Sequence, residues 1–159
     1  TNRCVDVGRM AIGQDKLQTT PLQMAMVAAA VANRGSLMRP FLATRAVDPE
    51  GRTTLENEPE EFARVMSPAT AGKITAMMTR VVQEGSGTAA ALQGIDVAGK
   101  TGTAERVVAE DVTTPWFIGF APAEDPQVAV AVTIERSVGG FGGTEAAPIA
   151  RAVMDSLLR

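Results

Sequence analysis

The sequence predicts an α/β fold of the α+β type, in which helices pack on an antiparallel sheet. Three extended segments follow one another at 95–105, 116–121 and 127–135. The connection between the last two is short enough to join neighbouring antiparallel strands, so the simplest arrangement is a β-meander. Helical patterns occur at 20–35 and 145–158, on either side of these segments. Helices that flank such a sheet define the predicted class.

The first helix has both a start and a stop signal. Thr20 can cap its N-terminus, Pro21 suits the first helical position, and Gln23 completes a Thr-x-x-Gln capping box. Gly35 suits the left-handed residue after the last turn. Because the body of this helix is apolar on nearly every side, we expect it to be buried over most of its circumference.

Between the first helix and the sheet, the sequence predicts an extended segment, a turn and a second helix. Residues 39–47 fit an extended segment, which turn-forming residues close at 48–51. The second helix is predicted to begin after Ser67 and to end at Gly85. The methionines at 77–78 are expected to fill the core.

The C-terminal region combines a strongly patterned strand with an amphipathic helix. Valines and an isoleucine alternate with small or polar residues along 127–135, which predicts one apolar face. The helix at 145–158 is expected to turn four side chains toward the sheet: Ile149, Val153, Leu157 and Leu158. The glycine-rich loop at 139–143 suits a plain connection or the border of a cleft equally well.

Composition excludes several classes of chemistry. The 159 residues include no His and one Cys, and 15 basic against 18 acidic residues give a net charge of −3. Without His there is no Ser-His-Asp or Cys-His catalytic set and no His-ligated zinc. Cys4 alone forms no internal disulfide and is expected to be a small packed residue. The mild acidity argues against a polyanion-binding protein, and no stretch is long and apolar enough to span a bilayer.

One acidic patch invites a metal-site interpretation. It consists of Glu56, Glu58, Glu60 and Glu61. These glutamates lack a regular ligand spacing, so we interpret the patch as a solvated loop. The chain shows no internal repeat and no linker, so residues 1–159 are expected to belong to one domain.

Residues 98–104 place a Lys, two hydroxyls and a Gly on a predicted strand. Strand alternation puts Lys100 and Gly102 on one face and Thr101 and Thr103 on the other. Gly102 permits the close approach of a ligand backbone, and an exposed strand edge can pair with an extended peptide. The alternative is a solvated edge strand on which Lys and Thr only protect against aggregation.

The same segment formally matches the phosphate-binding P-loop pattern, from Gly94 to Thr101. Residues 95–98 are poor for a loop of convergent N–H groups, and Asp96 would repel phosphate. A sheet rather than a helix is expected to follow. The pattern therefore does not predict nucleotide binding.

Four stretches in a fixed order connect the chain to a known family. They are Ile12-Gly13-Gln14 with Thr20-Pro21-Leu22-Gln23-Met24-Ala25, then Gly87-Thr88-Ala89, then Gly99-Lys100-Thr101-Gly102-Thr103-Ala104, and finally Trp116-Phe117-Ile118-Gly119-Phe120-Ala121-Pro122. Together they resemble the C-terminal part of the transpeptidase domain of penicillin-binding proteins, most of all class B. Lys-Thr-Gly is the third motif of this serine acyl-transferase family. The resemblance implies a β-lactamase/transpeptidase-like fold that is incomplete in this chain, with 1–159 as the C-terminal portion of one domain.

The resemblance also implies roles for residues of this strand, and no cofactor. Lys100 would supply positive charge near the proton network of the nucleophile. Thr101 and Thr103, with Gly102 between them, would bind the carboxylate of a D-Ala-D-Ala stem peptide or a β-lactam. The backbone N–H of Thr103 would form half of the oxyanion hole.

The chain departs from the family at the nucleophile. None of its five serines begins a Ser-x-x-Lys or a Ser-x-Asn motif. Thr70 and Lys73 imitate the first motif, but they fall inside an ordinary predicted helix. The resemblance therefore implies a partner, the N-terminal portion of the same transpeptidase, which carries both motifs and the membrane anchor. Alone, this chain is expected to be inactive.

The implied function is part of a peptidoglycan D,D-transpeptidase on the extracytoplasmic face of the cytoplasmic membrane. It would cross-link stem peptides through a serine acyl-enzyme and react with β-lactams. One alternative is a serine β-lactamase or β-lactam sensor of the same superfamily, although the stretches at 20–25 and 116–122 look more like those of transpeptidases. The other is a non-catalytic scaffold or peptide-binding module, which would be indifferent to penicillin even with the missing portion restored.

Overall fold

The structure, a computed structural model, describes residues 5–14, 16–107 and 110–159. Cys4, expected to be a packed residue, lies outside the described residues. The helices in these ranges are α1 (Val7–Ala11), α2 (Pro21–Ala32), α3 (Pro68–Glu84) and α4 (Ala147–Leu158). The strands are β1 (Ser36–Met38), β2 (Arg45–Val47), β3 (Thr53–Glu56), β4 (Glu61–Arg64), β5 (Ala98–Val107), β6 (Val112–Ala121), β7 (Val128–Thr133) and β8 (Ser137–Val138).

Strands β5, β6 and β7 form the predicted antiparallel meander, and β8 pairs with the start of β6. Side chains alternate between its two faces. Phe117 and Val130 belong to the cluster that packs against α4, while Ala98 and Phe120 pack on the opposite side with Val31 of α2. The sheet therefore lies between α4 and α2, and α3 runs along β5.

Helix α2 has the predicted ends and, after its first turn, the predicted burial. Thr20 and Gln23 form the capping box, and Gly35 has the left-handed φ of +90°. Leu22 in the first turn and Val27 are 58% and 48% exposed. All the other residues from 24 to 32 are buried or half-buried, so the predicted burial holds after the first turn.

Helix α3 also has the predicted ends, with Ser67 as its N-cap and Gly85 as its C-cap. Met78 is buried, as predicted, but Met77 is 61% exposed. Successive residues of an α-helix point about 100° apart, so only one of two adjacent methionines reaches this core.

The buried face of α4 differs from the predicted one. Its buried residues are Ala147, Ala150 and Met154, and Leu158 packs against the same cluster. Of the four side chains expected to face the sheet, Ile149, Val153 and Leu157 are exposed. Helix α4 follows a π-helical turn, Gly142–Ala146, and small alanines bring its backbone close to the sheet. Because the helix lies close to the sheet, the face with the small alanines is buried, and the face with the larger side chains is exposed.

Residues 36–64 form two small antiparallel pairs, β1 with β4 and β2 with β3. Of the extended segment expected at 39–47, a strand forms at Arg45–Val47. The predicted turn at 48–51 is present, with the N–H of its last residue bonded to the C=O of its first at 2.9 Å. Glu56 and Glu61 lie in strands rather than in a loop, although all four glutamates of the acidic patch are exposed.

The described residues offer neither a metal-binding cluster nor a membrane-spanning helix. No group of acidic or Cys side chains there is arranged to hold a metal ion. No helix there has the length and hydropathy of a membrane span.

Candidate active-site strand

Strand β5 leaves one backbone edge open to a ligand. Within the described residues it pairs with β6 on one side. From the other side, the Gln14 side chain reaches the C=O of Thr103 and the N–H of Glu105. Because the N–H and C=O of one residue point the same way in an antiparallel strand, the N–H of Thr103 also faces this free edge. This N–H is the group to which the resemblance assigns half of the oxyanion hole.

The side chains of β5 alternate as expected. Lys100 lies opposite Ile118 and Thr101 opposite Phe117, so the two side chains lie on different faces of the sheet. Lys100 is exposed, and its Nζ donates to the C=O of Thr101 at 2.6 Å. The ammonium group therefore curls over the free edge on which the N–H of Thr103 lies.

The hydroxyl of Thr101 contacts a side chain, and the hydroxyl of Thr103 accepts a hydrogen bond from a backbone N–H. The hydroxyls of Thr101 and Ser86 are 2.6 Å apart, and the N–H of Gly142 donates to Oγ1 of Thr103 at 3.3 Å. Ser86 was not among the predicted site residues. The available signal was its position directly before Gly87-Thr88-Ala89, a stretch that supports the family resemblance, at the end of α3.

The glycine-rich loop at 139–143 packs directly against this strand. A side chain at Gly142 would overlap the carbonyl oxygens of Trp116 and Gly102, and one at Gly143 would overlap the carbonyl of Ser86. Only glycine allows the loop to lie this close to the face that presents the threonines. Gly102 presents no side chain on the opposite face of β5, where Lys100 lies.

Two competing assignments are not supported by the geometry. Thr70 lies in the first turn of α3, whereas Ser86 follows its last turn. The 17 residues of α3 span about 25 Å, so Thr70 is far from Ser86 and from the Thr101 hydroxyl that Ser86 contacts. Lys100 lies inside a strand that continues to Val107, so the residues directly after it are extended rather than helical. The P-loop interpretation, which requires a helix N-terminus there, is therefore wrong.

Comparison with known families identifies the chain. Residues 5–155 match the model described as the penicillin binding protein transpeptidase domain. This chain belongs to that family. The family resemblance carried by the four stretches is thus confirmed over residues 5–155.

Relatives of this chain include peptidoglycan D,D-transpeptidases. PbpA of Mycolicibacterium smegmatis is 41% identical over 158 residues, which cover 96% of this chain and 32% of PbpA. The stage V sporulation protein D of Bacillus subtilis is 38% identical over 161 residues, which cover 96% of this chain and 25% of that protein. The chain spans about a third or less of the length of these relatives.

Solved structures confirm the predicted fold. Penicillin-binding protein A from M. tuberculosis, as a ceftriaxone acyl-enzyme complex, superposes with a TM-score of 0.89 at 36% identity. The match covers 96% of this chain and 35% of that protein. A transpeptidase domain from Eggerthella lenta gives a TM-score of 0.78 at 41% identity over 89% of this chain and 32% of its own.

Proposed function

We propose that this chain forms the Lys-Thr-Gly wall of the active site of a peptidoglycan D,D-transpeptidase. The enzyme would cross-link stem peptides that end in D-Ala-D-Ala through a serine acyl-enzyme, and β-lactams would acylate the same serine. The observation that carries the proposal is the free edge of β5, which presents the Lys100 ammonium and the Thr103 N–H together. The names of the relatives support this choice of reaction.

In this proposal each group of β5 acts on a different part of the substrate. When the serine oxygen attacks the penultimate D-Ala carbonyl, the carbonyl oxygen gains negative charge, and the N–H of Thr103 donates to it. One such donor is typically worth about 3 kcal/mol of transition-state stabilisation. The hydroxyls of Thr101 and Thr103 bind the terminal carboxylate, and Lys100 stabilises the anionic groups around the serine. The terminal D-Ala leaves, and the amine of a second stem peptide then attacks the acyl-serine.

The nucleophile must come from a segment that carries Ser-x-x-Lys, together with one that carries Ser-x-Asn, because this chain has neither motif. We propose that both belong to the N-terminal portion of the same transpeptidase, which also supplies the membrane anchor. The exposed apolar side chains of α2, Leu22 and Val27 among them, support packing against such a portion. Since peptidoglycan lies outside the cytoplasmic membrane, the assembled enzyme would act on the extracytoplasmic face.

Covalent labelling tests this proposal. The chain is mixed with a fluorescent penicillin, alone and after refolding with the segment that carries Ser-x-x-Lys, and the label is located by denaturing gel and mass spectrometry. We expect label on the serine of the added segment, and only when both pieces are present. If a correctly folded pair took no label, the result would contradict the proposed transpeptidase function and would favour the non-catalytic scaffold. Rapid hydrolysis of the label would instead indicate a β-lactamase.

Replacing Ser86 with alanine is expected to slow acylation of the assembled site by about fivefold. The Thr101 hydroxyl would lose its 2.6 Å partner and with it a preferred orientation, and a neutral hydrogen bond contributes about 1 kcal/mol. Stopped-flow measurement of penicillin acylation checks this value. Ser156→Ala is the matched control, because that hydroxyl bonds within α4. Equal rates for both variants would show that Ser86 does not orient Thr101.

A further inference from the structure

A side chain from the N-terminal segment occupies the free edge of β5 beside Thr103. The Nε2 of Gln14 donates to the C=O of Thr103 at 3.3 Å, and its Oε1 accepts from the N–H of Glu105 at 3.1 Å. A carboxamide has the same donor and acceptor as a peptide unit. Gln14 therefore satisfies this part of the edge as a neighbouring strand would, from 89 residues away in sequence.

The segment that presents Gln14 is itself fixed to the same part of β5. Arg9 of α1 forms an ion pair with Glu105 at 3.1 Å. The N–H of Gln14 donates to the C=O of Arg9 at 2.9 Å, and Asp6 caps the N–H of Arg9 at 3.0 Å. Together these bonds place the half-buried Gln14 amide against the backbone that directly follows the proposed oxyanion donor.

We propose that Gln14 is a positioning residue for acyl transfer, which aligns the N–H of Thr103 and ends the peptide-binding edge there. This inference rests on the proposed function. Two residues of a strand span about 7 Å, so the open edge from Thr101 to Thr103 has the length of one dipeptide unit. That length suits a D-Ala-D-Ala terminus. A longer strand would need the C=O of Thr103 and the N–H of Glu105, both of which Gln14 already bonds.

The expected effect follows from the geometry that an oxyanion donor requires. The bonds to Gln14 restrain the backbone on both sides of Ala104, immediately after the donor. Without them this end of β5 keeps its pairing with β6 on one side, but the outward-facing C=O of Thr103 and N–H of Glu105 lose the partner that holds their peptide units in line. A misplacement of about 1 Å costs on the order of 100-fold in rate. Because Gln14 does not reach the carboxylate-binding hydroxyls, binding of the β-lactam before acylation is expected to change little.

Two near-isosteric variants test the inference in the refolded pair described above. Gln14→Met removes both hydrogen bonds, and Gln14→Glu keeps the acceptor for Glu105 but places a carboxylate oxygen against the C=O of Thr103. Pre-steady-state kinetics with fluorescent penicillin give the acylation rate constant and the Kd of the preceding complex separately. The control is Gln93→Met, an exposed glutamine in the turn before β5.

We expect both Gln14 variants to lower the acylation rate constant by about 10- to 100-fold with Kd within twofold of the original protein. The Gln93 variant should retain the original rate. A residue that only fills space would be replaced adequately by Met or Glu, so an acylation rate constant within twofold in either folded variant overturns the inference. If the unsubstituted pair takes no label at all, the proposed function fails instead, and the two failures are thereby distinguished.

Discussion

Replacing Lys100 with alanine is expected to lower the rate of β-lactam acylation by at least about 100-fold without unfolding the chain. The Nζ of Lys100 lies over the free edge of β5, bonded to the C=O of Thr101 at 2.6 Å, where a substrate and the nucleophilic serine would meet. Groups that move or stabilise protons at a reaction centre contribute about 100- to 10,000-fold. Because the side chain is exposed, its loss leaves no cavity. The acylation rate with fluorescent penicillin measures the effect.

Lys73→Ala is the matched control for this variant. Lys73 is also exposed, but it lies in α3, where it completes the Thr-x-x-Lys that imitates a nucleophile motif. We expect this variant to acylate at the original rate. Comparable losses in the two variants would mean that general charge, rather than the position of Lys100, controls the reaction.

Replacing Gly142 with alanine is expected to lower the free energy of unfolding by about 1–3 kcal/mol, the usual range for an overpacked site. An added methyl group would overlap the carbonyl oxygens of Trp116 and Gly102, which belong to paired strands and cannot move aside singly. The loop must therefore withdraw from β5. Acylation should fall as well, since the N–H of Gly142 bonds the hydroxyl of Thr103. Chemical denaturation gives the free energy.

Gly72→Ala is the matched control, because it makes the same substitution but is expected to raise the free energy of unfolding. Gly72 lies inside α3, and beyond the backbone of that helix no heavy atom lies within 4 Å of an added methyl group there. Alanine in place of glycine inside a helix stabilises by up to about 1 kcal/mol. If Gly142→Ala proved as stable as Gly72→Ala, the loop would not lie against β5 as described.

Local signals predicted the ends of the main helices and the order of the strands. The capping box at Thr20, the cap at Ser67 and the left-handed Gly35 act within a few residues of chain, so the sequence reveals them. The meander followed from short loops and alternation, which are also local. Burial is different, because it depends on what lies opposite each helix. The face of α4 was mispredicted for this reason, since alanine packing against the sheet excluded Ile149.

Among the residues of the candidate site, too, those in one continuous stretch were predicted and those brought together by the fold were not. Lys100, Thr101, Gly102 and Thr103 were predicted because they form one continuous stretch that matches a motif of the family. The contacts of Ser86 and Gln14 with β5 were not predicted. Ser86 is separated from Thr101 by 15 positions in the sequence, and Gln14 from Thr103 by 89 positions. Contacts between residues so far apart in the sequence follow no helical or strand periodicity, so the pattern of a single sequence does not reveal them. The nucleophile could not be located, since no residue of this chain matches its motif.

The structure of the refolded pair after reaction with a β-lactam tests the central claim most directly. We predict that the acyl carbonyl oxygen lies about 2.7–3.1 Å from the backbone nitrogen of Thr103, the range for an oxyanion donor. The β-lactam carboxylate should lie within hydrogen-bond distance of the hydroxyls of Thr101 and Thr103. An acyl group on the serine that points away from β5, with its carboxylate bound elsewhere, would contradict the account.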